Sequence, residues 1–123
     1  MKTRFDGLRI LVVEDEYLVA SLIQDILEMA GCVVSGPIPR LTEAVDAAKV
    51  DACDAAVLDV NLGGNRVFPV AEVLSHRHIP FIFVTGYGGG NLPEEHHSRP
   101  TLRKPFRNDE LLNAISALIN PAV

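Results

Sequence analysis

The sequence predicts an α/β domain, a doubly wound sheet of five parallel strands in the order 2-1-3-4-5 with helices on both faces. Three observations carry that expectation. Short apolar runs alternate with segments of helical period, the pattern of repeated strand–helix units. The runs are almost continuously apolar, as strands covered on both faces must be. The chain has 123 residues and 48% hydrophobic content, which suits one domain of the common ~100–150 residue size with a core that needs no disulfide. Right-handed crossovers leave few strand orders, and 2-1-3-4-5 is a common one among doubly wound sheets.

Strand one is Ile10-Leu11-Val12-Val13, running into Glu14-Asp15. A helix follows, because Val19, Leu22, Ile23, Ile26, Leu27 and Ala30 recur at steps of three and four and form one stripe. Gly31 comes next and suits the left-handed cap position. Strand two is Val33-Val34, closed by Gly36-Pro37. A second helix is expected over residues 42–49 with Ala44, Val45 and Ala48 inward. Strand three covers residues 55–58 and runs into Asp59. Gly63-Gly64-Asn65 reads as a turn before a third helix over residues 67–75, which tolerates Pro69 only in its first turn. Strand four covers residues 79–84 and runs into Thr85. Residues 86–97 have room for one more helix, short or frayed because of Gly88-Gly89-Gly90 and Pro93. Thr101-Leu102-Arg103 is a short, polar fifth strand at the sheet edge, running into Lys104-Pro105. Asn108 or Asp109 caps a final helix with Leu111, Leu112, Ile115, Leu118 and Ile119 on one face, ended by Pro121.

Composition narrows the function. A net charge of −5 without a concentrated basic patch argues against nucleic acid as a partner. No apolar stretch approaches the ~20 residues of a membrane helix, and no apolar core follows the basic N-terminal residues. A soluble cytoplasmic protein is expected, with residues 1–123 forming a single domain and no output domain. Cys32 and Cys53 lack the spacing of metal or redox motifs and read as buried, reduced core thiols. His76, His78, His96 and His97 lack ligand spacing and read as solvated or incidental.

Parallel strands bring all four endings to one edge of the sheet, where open α/β sheets bind ligands. Glu14, Asp15 and Asp59 would meet there, and neighbouring carboxylates ask for a cation. An all-oxygen donor set with room for water suits Mg²⁺. Asp59, at the end of the central strand, can act as a nucleophile toward phosphorus. Lys104 offers an ammonium and Thr85 a hydroxyl to phosphoryl oxygens. Pro105 permits a cis bond with Lys104 that would aim the lysine, and Gly86 leaves its loop room to move.

With those residues in place, the chain resembles the receiver domains of two-component response regulators. Val12-Val13-Glu14-Asp15, Leu58-Asp59, Thr85-Gly86 and Lys104-Pro105-Phe106 carry the resemblance over nearly the whole length. It implies a flavodoxin-like fold, with Asp59 as phosphoacceptor. It implies Mg²⁺ held by Asp15, Asp59 and the main-chain carbonyl of Asn61, with Glu14 acting through water. Thr85 and Lys104 would grip the phosphoryl group. A sensor histidine kinase or phosphotransfer protein would donate the phosphate, and a downstream protein target would read the result. Phe83-Val84-Thr85-Gly86-Tyr87 resembles a variant Phe-x-Thr-Gly-Tyr group of single-domain or kinase-linked receivers. Thr101 stands where ordinary receivers carry an aromatic switch residue, which leaves Tyr87 to shield the phosphate or to take that role. Gly63 stands where many carry proline. The Gly88-Gly89-Gly90 loop is a candidate for ordering on phosphorylation.

Two other classes share these residues. A Mg²⁺-dependent aspartyl phosphohydrolase would use the same chemistry, but the chain lacks a substantial substrate-binding insertion. A pseudo-receiver scaffold would need no phosphate, yet would then carry idle buried carboxylates at a standing cost.

Overall fold

The computed structural model describes residues 5–86 and 92–119. The elements run β1 (Arg9–Val13), α1 (Tyr17–Met29), β2 (Val33–Ile38), α2 (Leu41–Val50), β3 (Ala55–Asp59), β4 (Asn61–Leu62), β5 (Asn65–Arg66), α3 (Phe68–His76), β6 (Phe81–Thr85), a 3₁₀ turn at Glu94–His96, β7 (Thr101–Arg103) and α4 (Asn108–Ile119). The main sheet is parallel in the order β2-β1-β3-β6-β7, the predicted order once the small β4–β5 hairpin is set aside. The chain therefore has the flavodoxin-like doubly wound architecture.

Alternation along each buried strand explains the continuous apolar runs. Leu11, Val13, Ala56, Leu58, Phe81 and Phe83 face a core with α2 and α3. Ile10, Val12, Ala55, Val57, Ile82 and Val84 face a second core with α1 and α4. Both sets are essentially inaccessible to water, so neither strand face can take a polar residue without loss. Cys53 belongs to the first core and Cys32 to the second, and both are buried free thiols, as expected.

The helices follow the predicted stripes with some differences. Ile23, Ile26 and Leu27 of α1 are buried, but Leu22 is 44% exposed and sits at the stripe's margin. Gly31 follows the helix at φ +105°, and a Cβ there would overlap Asp6. Pro69 lies in the first turn of α3. In α4 the side chain of Glu110 reaches back to the Arg107 N–H at 2.8 Å, so the capping bond falls one residue earlier than Asn108.

Three departures from the sequence reading have clear causes. Strand β2 does not stop before Gly36-Pro37 but continues to Ile38. Its register slips between Leu11 and Val13 of β1, where Gly36 has φ +97° and a Cβ would meet the Val12 carbonyl at 2.7 Å. Pro37 costs no ladder bond on an edge strand. The Gly36–Pro37 and Lys104–Pro105 bonds are both cis. The turn at Gly63-Gly64 closes an antiparallel hairpin, with both glycines at positive φ (+53° and +91°), as a tight two-residue connection demands. Within the fourth crossover the described residues hold only the 3₁₀ turn, and Tyr87, Gly88, Gly89 and Gly90 lie outside the described residues, as does Pro121. No helix among the described residues is long and apolar enough to cross a membrane.

Candidate functional site

Strand ends position the site. Strands β1 and β3 pair in register, Val13 opposite Leu58, so Glu14 and Asp59 leave the sheet side by side. Asp59 pairs with Val84 of β6, which brings Thr85 to the same edge. Thr85 pairs with Arg103, and its carbonyl accepts the Lys104 N–H at 2.8 Å, which delivers the lysine. A rigid apolar sheet thus holds groups that are far apart in the chain.

Glu14 is 2% exposed and Asp59 4%, whereas Asp15 is exposed. One carboxylate oxygen from each lies within 4.8 Å of the others. Glu14 Oε2 accepts the Glu16 N–H at 3.1 Å, while Oε1 is buried without a hydrogen-bond donor and 3.3 Å from the Lys104 ammonium. Asp59 Oδ1 accepts the Asn61 N–H at 3.2 Å, and Oδ2 is 3.5 Å from Lys104 Nζ. Asp15 Oδ2 accepts the Gly63 N–H at 2.8 Å, so the β4–β5 hairpin is tied to the acidic cluster. Lys104 also makes a 2.8 Å ion pair with Glu16. Tyr17, the first residue of α1, stands 80% exposed beside this rim.

The charges are under tension. Burial, then the hydrogen bond and repulsion from Asp59, push Glu14 from the ordinary 4.5 up to about 8. Burial also raises Asp59, against the pull of Glu14, Lys104 and the Asn61 N–H. Burial alone would lower Lys104, but Glu16, Asp59 and Glu14 outweigh it and hold the ammonium charged. Three carboxylates, Glu14, Glu16 and Asp59, share one ammonium, and a buried oxygen has no donor. That all-oxygen, electron-rich set fits a hard divalent cation such as Mg²⁺.

The remaining candidates divide. Thr85 is 5% exposed and its Oγ1 has no hydrogen-bond partner among the described residues. Gly86 is exposed with open space around it, and Asn61 is exposed. Thr101, opposite Phe83 in β7, is exposed and donates to the Arg99 carbonyl at 3.3 Å. Pro105 follows Lys104 through a cis bond. Two residues that matter were missed. Glu16 is an acid one position beyond the Glu14-Asp15 pair, and that adjacency is the sequence signal for its contact with Lys104. His96 is not solvated: it is 4% exposed, stacked on Phe68 at 5.3 Å and set edge-on to Phe83 at 5.4 Å. Nothing in its local sequence announces that, because the partners come from α3 and β6.

Residues 10–116 match the family model for the response regulator receiver domain. SdrG from Sphingomonas melonis Fr1 is 39% identical, with a TM-score of 0.82 over 92% of this chain and 97% of that one. A second SdrG structure, its BeF3-activated conformation, aligns with a TM-score of 0.77. The receiver domain of sensor histidine kinase PA1611 from Pseudomonas aeruginosa PAO1 has a magnesium ion coordinated in its active site cleft. It is 24% identical with a TM-score of 0.76 over 92% of this chain and 98% of that one, a likeness of fold. The transcriptional regulatory protein PdtaR from Mycobacterium tuberculosis is 25% identical over 116 residues, and the chain spans about 57% of its length.

Proposed function

The chain belongs to the response regulator receiver family, whose members are signalling proteins rather than metabolic enzymes, and we propose that it is a phosphoacceptor whose Asp59 takes phosphate from a histidine kinase or phosphotransfer protein. The observation that carries this is the convergence of Glu14, Asp15 and Asp59 with Lys104 at one sheet edge.

In this reading an Asp59 carboxylate oxygen attacks the phosphorus of a phosphohistidine. The new P–O bond forms as the P–N bond breaks, and the electron pair leaves with the imidazole, which takes up a proton. Mg²⁺, held by Asp15, Asp59 and the Asn61 carbonyl with Glu14 acting through water, would offset the charge on the transferring group. Lys104, already charged and 3.5 Å from Asp59, supplies an ammonium to the phosphoryl oxygens. Thr85 supplies a hydroxyl with no competing partner among the described residues. Later attack by water on phosphorus returns the carboxylate and releases inorganic phosphate.

The phosphorylated chain then binds a downstream protein target through surfaces that shift when Thr85 and Lys104 engage the phosphate. The Phe-x-Thr-Gly-Tyr run would make Tyr87, rather than Thr101, the aromatic partner of that shift. Direct nucleic-acid or membrane binding is not part of the proposal. Intact mass after incubation with phosphoramidate and Mg²⁺ tests it. One phosphoryl adduct is expected, absent in Asp59→Asn and in EDTA. No adduct on folded, Mg²⁺-loaded protein would overturn it.

A further inference from the structure

Glu16 holds the position of the α1 N-cap, but its side chain makes no capping bond. It turns instead to Lys104 at 2.8 Å, the shortest contact that the ammonium makes. The other carboxylates around Nζ lie at 3.3 Å (Glu14) and 3.5 Å (Asp59). An ammonium that grips a phosphoryl group on Asp59 must divide its three donors between that group and the carboxylates it already faces, of which Glu16 is the nearest. Glu14 is buried and cannot leave, whereas the Glu16 side chain is 62% exposed and can turn to solvent. Glu16 also lies outside the carboxylate cluster suited to the cation.

We propose that Glu16 is a positioning residue that competes with the phosphoryl group for Lys104 and so restrains phosphorylation. This rests on the receiver reading. A solvent-exposed pair is worth little, so the restraint is modest and readily released, about two- to fivefold in rate.

The test measures phosphoryl uptake by intact mass with acetyl phosphate at saturating Mg²⁺, in the parent, Glu16→Gln, Lys104→Ala and the double variant. Calorimetry gives the affinities for beryllofluoride and for Mg²⁺ alone. Glu16→Gln is expected to take up phosphate about two- to fivefold faster and to bind beryllofluoride tighter by a similar factor. The gain should vanish in the Lys104→Ala background, and Mg²⁺ affinity should stay within about twofold of the parent. Equal or slower uptake in Glu16→Gln overturns the proposal. A gain that persists without Lys104 also does, because it makes Glu16 a source of general repulsion. So does a several-fold change in Mg²⁺ affinity, which would make it a metal ligand. An adduct missing from the parent, or retained in Asp59→Asn, instead sinks the receiver reading beneath it.

Discussion

Thr85 places a hydroxyl in the interior with no hydrogen-bond partner among the described residues. A buried unsatisfied hydroxyl costs stability, on the order of 1 kcal/mol. Thr85→Val keeps the shape and removes the cost. It is expected to raise the denaturation midpoint slightly while weakening beryllofluoride binding severalfold; a variant that loses stability and keeps binding would show the hydroxyl to be structural. Two residues of this kind were legible because they end apolar runs: Asp59 and Thr85 are each the first polar group after a strand's core, while Lys104 was marked by the proline that follows it at the end of a short polar strand. Glu16 and His96 were not, since what defines each is a partner 88 residues away or a ring from another element.

At the scale of elements, the strands and helices were readable from periodicity, whereas their joints were not. The β2 bulge depends on how closely Gly36 approaches the Val12 carbonyl, a distance that no local pattern encodes. The aromatic column of Phe81, Phe83, His96 and Phe68 ties β6 to α3 and to the 3₁₀ turn. His96→Ala leaves a void there and is expected to cost about 2 kcal/mol, read from urea unfolding. His96→Phe removes the unpartnered Nδ1 while keeping the ring, and should cost far less. The far end of the sheet has its own polar clasp. Asp51 accepts from Arg9 at 2.9 Å and from the Ser35 hydroxyl, while Arg77 binds the Ala48 and Asp51 carbonyls. Asp51→Ala is expected to cost about 1–2 kcal/mol and to leave the phosphorylation rate unchanged. A slowed rate would mean that the two ends of the sheet communicate.

For the whole molecule, the acidic edge makes stability depend on pH and cation together. The folded chain holds a proton on Glu14 up to about 8, whereas the unfolded chain releases it near 4.5. Folding therefore takes up a proton between those values, and the metal-free protein loses stability as pH rises through that window, with the loss complete above it. Asp59, also raised, acts in the same direction. Thermal melts from about pH 5 to 9 in EDTA should show a falling midpoint, and the gain on adding Mg²⁺ should grow with pH. A gain independent of pH would mean that the carboxylates are not the cation's seat. The global fold was legible because the apolar strands had to be buried on both faces, and that alone brings four chain segments to one edge. Their charge coupling was not, because burial and distance exist only after folding.

The placement of Tyr17 has an optical consequence. The chain has no tryptophan and two tyrosines. Tyr17 stands exposed next to Glu16, and Tyr87 follows Thr85 by two residues. Tyr17 therefore supplies tyrosine emission from the residue that follows Glu16 at the acidic edge. Through Tyr17 the unlabelled protein carries a reporter beside that edge, and a tryptophan introduced elsewhere would give a second, spectrally separate channel for the rest of the molecule.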